Sequence, residues 1–103
     1  MNRTATESDI PRLNPGRMTQ MHALLRAALA PTALEVTDDS HLHAGHAGAR
    51  LGLGHFSVRL VSPMFEGKPP LARHRLVYAA LGDMMQTDIH ALVIHARAPN
   101  EHA

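Results

Sequence analysis

The stretch Phe65-Glu66-Gly67-Lys68, continuing through Leu71-Ala72-Arg73-His74-Arg75-Leu76-Val77-Tyr78, constrains the fold more than any other. Before it, Phe56-Ser57-Val58-Arg59-Leu60-Val61 alternates apolar and polar residues as a half-buried strand does. After it, His90-Ala91-Leu92-Val93-Ile94-His95 reads as a second strand. A helix between two strands of one sheet is a crossover, and it packs on the sheet that it spans. The helix is expected over residues 71–84. Leu71, Val77, Tyr78, Leu81, Met84 and Met85 share one broad face, His74 falls inside that face, and Arg73 and Arg75 flank it.

The other elements arrange themselves around this unit. Met18, Met21, Leu24, Leu25, Ala28 and Leu29 recur at helical spacing, so a first helix is expected over residues 15–29, ended by Pro31. Residues 33–37 read as a short strand with Leu34 and Val36 on one face, and Asp38 and Asp39 end it and cap a turn. Residues 41–54 hold four Gly and three His and fit neither period, which predicts a long mobile hairpin loop. Strand two is expected over residues 55–62, one helical turn over 63–65, and the last strand over 90–97. The order α-β-β-α-α-β predicts an α+β two-layer sandwich on a three-stranded mixed sheet. Residues 1–15 are read as a flexible arm, 16–98 as the domain and 99–103 as a polar tail.

Composition narrows the function. With 103 residues the chain is long enough for one domain, and 45% apolar content supplies a core that is mainly aliphatic, with two Phe and one Tyr. The absence of Cys excludes a disulfide framework and any thiolate metal site made by this chain alone. No run is long and apolar enough to span a membrane, and the first residues lack a signal-peptide core, so the cytoplasm is the expected compartment. No nucleophile elbow, P-loop or dinucleotide motif is present, and a catalytic role is not expected.

Two sets of residues carry chemistry. Nine His is a high count, and imidazole is the commonest metal ligand. His41, His43 and His46 lie in the loop and His90 opens the last strand. His74 and His55 are read as structural. The second set is Lys68, Arg73, His74 and Arg75 at a helix start, which suits phosphates or an acidic partner surface. A net charge of +1 and scarce aromatics argue against dedicated nucleic-acid binding.

Taken in order, Phe65-x-Gly67, Arg73-His74-Arg75-x-Val77-Tyr78 and Ile89-His90-Ala91-Leu92 resemble the BolA family. So do Leu34-Glu35-Val36, Asp39-Ser40 and His55-Phe56-Ser57-Val58. The resemblance runs from about Met18 to about Arg97 and implies a fold similar to the class II KH fold. It also implies a non-catalytic adaptor that binds a monothiol glutaredoxin and shares a [2Fe–2S] cluster with it, in cluster trafficking or iron regulation. The glutaredoxin and its glutathione supply the thiolate side, and the isolated chain is not expected to hold a cluster stably. Carried over by position, His90 is one ligand. The other is a loop histidine, with His43 favoured by its offset from Asp39-Ser40 and His41 and His46 as rivals. The alternative attached to the same family is a DNA-binding transcriptional regulator that uses the basic face.

Overall fold

A computed structural model describes residues 10–40 and 53–101. Helix α1 (Ile10–Leu29) leads into β1 (Ala33–Asp38). Then follow β2 (Gly54–Val61), a 3₁₀ turn (Pro63–Phe65), helix α2 (Pro70–Leu81), a short helix α3 (Met84–Thr87) and β3 (Ile89–Arg97). The expected loop between β1 and β2 falls almost wholly outside the described residues.

The strands lie in the order β1-β2-β3. β1 and β2 are antiparallel, while β2 and β3 are parallel, as the crossover through α2 requires. Register places Leu34 opposite Leu60, Val36 opposite Val58, Phe56 opposite Leu92 and Val58 opposite Ile94. These side chains form the covered face of the sheet. Met21, Leu25 and Leu29 of α1, with Val77 and Leu81 of α2, pack on it together with Met84, Phe65 and Ile89. Among the described residues, the other face, with Glu35, Arg59, His95 and Arg97, carries no helix. The result is the expected α+β two-layer sandwich on a mixed sheet.

Ser62 secures the turn after β2. Its hydroxyl donates to the Leu29 carbonyl (2.6 Å) and accepts from the Met64 N–H (3.1 Å), which caps the 3₁₀ turn and ties it to the end of α1. That turn drives Phe65 into the core, fully buried.

Three expectations are corrected. Helix α1 starts at Ile10, so residues 10–15 belong to the helix and not to an arm, and Pro15 lies inside it. Proline costs a helix its i−4 hydrogen bond; what holds this end down is Asn14, 1% exposed and bonded across to β1. Helix α2 stops at Leu81 because Gly82 turns the chain at φ 56°, a left-handed value that suits glycine, and Met84 begins a separate turn. Finally, Leu71 and Tyr78 are 62% and 42% exposed. The buried stripe of α2 is centred on Val77 and Leu81, which turns Leu71 and Tyr78 outward.

Candidate functional site

The parallel start of β2 and β3 forms one end of the sheet, and the candidate site lies there. Gly54 pairs with Ile89 but His55 pairs with Ala91, so β3 carries one extra residue, His90, at this step. Such a bulge leaves the extra residue outside the ladder and re-aims its side chain. His90 is exposed, and its ring centroid lies 5.1 Å from that of His55 with the planes tilted by 53°. His55 itself is buried, at 3% exposure.

The residues beneath this pair are polar and bonded to one another. Arg17 Nε donates to Asp88 Oδ1 (3.0 Å) and Arg17 Nη1 donates to Asn14 Oδ1 (3.1 Å). Asn14 Nδ2 donates in turn to Asp38 Oδ2 (2.9 Å) and Ser40 Oγ (3.0 Å). Asp38 Oδ1 accepts from the Ser40 N–H (2.8 Å), the turn expected of an aspartate ending a strand. Ser40 Oγ accepts from the His55 N–H (3.0 Å), and the Asp39 N–H donates to the His55 carbonyl (2.8 Å). Ser57 donates to Asp39 on the neighbouring rung. The Gly54 N–H donates to the Asp88 carbonyl (2.9 Å), which closes the circuit between the two strand starts.

Of the expected ligands, the structure therefore describes His90, while His41, His43 and His46 lie outside the described residues. It brings His55 to His90, a residue read from sequence as structural. The signal was available: both histidines open strands, and a crossover sets those strands parallel and side by side. Among the described residues, no group of three or more His, Cys, Asp or Glu is arranged to hold a metal ion. Of the pair, His90 is the exposed imidazole, and one imidazole without a thiolate does not make a complete metal site.

The basic cluster divides. Arg73 is engaged within the fold: Nε donates to the Lys68 carbonyl (2.7 Å) and Nη1 to the Ala96 carbonyl (3.3 Å). Nη1 and Nη2 also grip Glu101 Oε1 and Oε2 (2.6 and 2.7 Å), and the guanidinium sits 6.0 Å from the Phe65 ring centroid. The Ala98 N–H adds a third bond to Glu101 (2.9 Å). Hydrogen bonding to Arg73, then to the Ala98 N–H, lowers the Glu101 carboxyl to about 2. The same side-chain bond raises the Arg73 guanidinium above its ordinary value. Arg73 is thus a clamp for residues 98–101, where the sequence suggested a partner contact. Lys68 and Arg75 remain exposed and His74 is half-buried. Sequence reasoning missed a second basic surface, the open sheet face, where Arg59, His95 and Arg97 line a shallow groove with Glu35.

These features define a class: a small α+β domain whose polar network and paired imidazoles meet at the parallel strand starts. The chain belongs to the BolA family, whose model, BolA-like protein, matches residues 25–101. It is similar to BolA-like protein 1 of Homo sapiens, 47% identical over 75 residues, 73% of this chain and 53% of that protein. It is also similar to SufE-like protein 1, chloroplastic/mitochondrial, of Arabidopsis thaliana, 45% identical over 82 residues, covering 75% of this chain but 22% of that protein. The DNA-binding transcriptional regulator BolA of Escherichia coli (strain K12) is 45% identical over 71 residues, 69% of this chain and 65% of that protein. This chain thus spans about half the length of the BolA-like protein 1 relatives and less of the SufE-like one. Among solved structures, the BolA domain of SufE1 from Arabidopsis thaliana superposes with a TM-score of 0.74 at 41% identity. That match covers 84% of this chain and 95% of that one. Among the described residues, no helix is long and apolar enough to cross a membrane.

Proposed function

We propose that this chain is a non-catalytic adaptor that docks a monothiol glutaredoxin and shares a [2Fe–2S] cluster with it, in cluster trafficking or iron regulation. The observation that carries the reading is His90, set in a bulge, exposed, and 5.1 Å ring to ring from His55. His90 is the ligand on the rigid strand. A second imidazole comes from the segment after β1, with His43 first and His41 and His46 as rivals; His55 packs beside His90 with its ring nitrogens buried. The cluster is cargo whose thiolate ligands come from the partner and its glutathione, since this chain has no Cys. Docking falls to the exposed Lys68 and Arg75 rather than to Arg73, whose charge is already paired. We place this work in the cytoplasm, although the SufE-like relative is named for chloroplast and mitochondrion; fractionation of the tagged chain tests that.

The test is reconstitution with a monothiol glutaredoxin and glutathione, followed by visible absorption and circular dichroism. Wild type is expected to change the cluster spectrum and His90→Ala to abolish the change while the two proteins stay associated. Identical spectra for the two overturn the ligand assignment, and failure to form any complex overturns the adaptor.

The name of the Escherichia coli relative favours a second reading, duplex DNA binding. Lys68, Arg75 and the open face with Arg59 and Arg97 are the groups to engage phosphates. Affinity is then expected to fall steeply with salt, and Lys68→Ala with Arg75→Ala to reduce the slope by about 2. Binding that ignores salt, or no binding at low salt, removes this reading.

A further inference from the structure

We propose that Arg17 and Asn14, on the first turns of α1, are positioning residues that set the aim of the His90 imidazole as a ligand and hold His55 beside it. The inference rests on the reading of His90 as a cluster ligand. A residue in a bulge has no ladder partner to set its orientation. The strand immediately before it must be held by something else. Asp88, two residues earlier, is held by four bonds: its Oδ1 by Arg17 (3.0 Å), its Oδ2 by the Thr87 hydroxyl (2.7 Å), its carbonyl by the Gly54 N–H (2.9 Å), and its own N–H by the Met84 carbonyl (3.0 Å).

The same guanidinium reaches Asn14, and Asn14 reaches Ser40, whose hydroxyl holds the His55 N–H. Two bonded α1 residues therefore set the backbone under both rings, Arg17 on the His90 side and Asn14 on the His55 side. Arg17 is 8% exposed. Its pair with Asp88 is only partly buried, with side-chain exposures of 9% and 30%, and an ion pair of that kind is a poor source of stability. What this pair supplies is a defined distance and direction between α1, β2 and β3. Partners that orient a metal ligand are worth about 10–100-fold in metal retention.

Arg17→Met keeps the length of the side chain and removes its fork; Asp88→Asn removes the charge and keeps the shape; Arg17→Lys keeps the charge and loses the fork. The first readout needs no metal. In the free protein, the proton NMR cross-peak between the His55 and His90 rings is expected in wild type, weak or lost in Arg17→Met, and partly restored in Arg17→Lys. The second is the rate at which a chelator strips iron from the complex reconstituted with glutaredoxin and glutathione. Arg17→Met is expected to raise it about 10–100-fold, and adding Asp88→Asn to change it little further. Melting temperature is followed in parallel, since a merely structural role moves it and leaves the ring cross-peak in the folded fraction unchanged. If Arg17→Met does not fold, Asp88→Asn answers the same question. An unchanged ring cross-peak in the folded variant overturns the positioning inference alone. An unchanged cluster spectrum in His90→Ala overturns the ligand reading on which it rests.

Discussion

Alanine at Gly54 and alanine at Gly16 are expected to move stability in opposite directions. Gly54 opens β2, where a Cβ would lie 2.4 Å from Phe56 Cε2, 2.6 Å from Phe56 Cζ and 3.0 Å from Asn14 Oδ1. The Phe56 ring is buried in the core, so it has no open space into which to retreat. Overpacking of this kind costs about 1–3 kcal/mol, offset by about 0.4–1 kcal/mol from a stiffer unfolded chain. At 2.4 Å from a buried ring the cost falls in the upper half of that range, about 2–3 kcal/mol, so the net loss is about 1–2.6 kcal/mol. Gly16 lies exposed in α1, and among the described residues nothing is within 4 Å of the added methyl. There only the helix-propensity and entropy terms act, and Gly16→Ala gains about 0.5–1 kcal/mol. Urea unfolding checks both, since a slope near 1 kcal/mol/M turns these values into midpoint shifts of about −1 M or more and about +0.5 to +1 M. Midpoints within about 0.3 M of wild type for Gly54→Ala refute the packing argument. Because Gly54 also bonds the Asp88 carbonyl, the same variant is expected to weaken the His55–His90 ring contact, and Gly16→Ala to leave it intact.

Ala30 ends α1 at φ 43°, a left-handed value that costs an L-residue about 1 kcal/mol. Ala30→Gly relieves that cost less about 0.4–1 kcal/mol for the freer unfolded chain, so the melting temperature is expected to rise by at most about 3 °C in a calorimetric scan. Phe65→Ala, emptying the fully buried site under the 3₁₀ turn, is expected to cost about 3–5 kcal/mol in urea unfolding. The Arg73–Glu101 clamp gives a pH dependence with a defined sign. The Glu101 carboxyl is lowered in the fold from the ordinary 4.5 to about 2, so its contribution is complete above about 4.5 and is lost as pH falls through 2. Wild type and Glu101→Gln are therefore expected to differ in thermal stability at neutral pH and to converge toward pH 2, with side-chain carbon shifts of Glu101 titrating in the same window.

The architecture was legible because two periodicities carry it. Alternation in Phe56-Val58-Leu60 and in Leu92-Ile94 names the buried face of two strands, and the intervening helix leaves only a parallel pairing between them. The helix ends were less legible. Pro15 is a strong local signal for a helix start, but Asn14 and Arg17 hold the preceding residues in place through partners in β1, the segment after it and the approach to β3. Tyr78 and Leu71 fell on the expected apolar face because hydrophobicity alone does not say where the stripe of a short helix is centred. Only packing against α1 and β3 does so, and it selects Val77 and Leu81.

The site was half legible for a related reason. His90 stands out by its place at a strand start, but a one-dimensional pattern does not show a bulge, which exists only as a mismatch between two strands. Nor does a charge count show that Arg73 is already satisfied, since its partner Glu101 lies 28 residues away. The Arg17–Asp88 pair spans 71 residues and joins a helix start to a strand start. Each residue is unremarkable in its own neighbourhood, an arginine in a polar helix turn and an aspartate after a threonine. Their meaning arises when parallel pairing brings the start of β3 against the start of β2 and α1 lays its first turns across both. The juxtaposition of the two imidazoles is therefore a property of the topology. His55 and His90 are 35 positions apart in sequence and become neighbours because a right-sized crossover makes their strands adjacent.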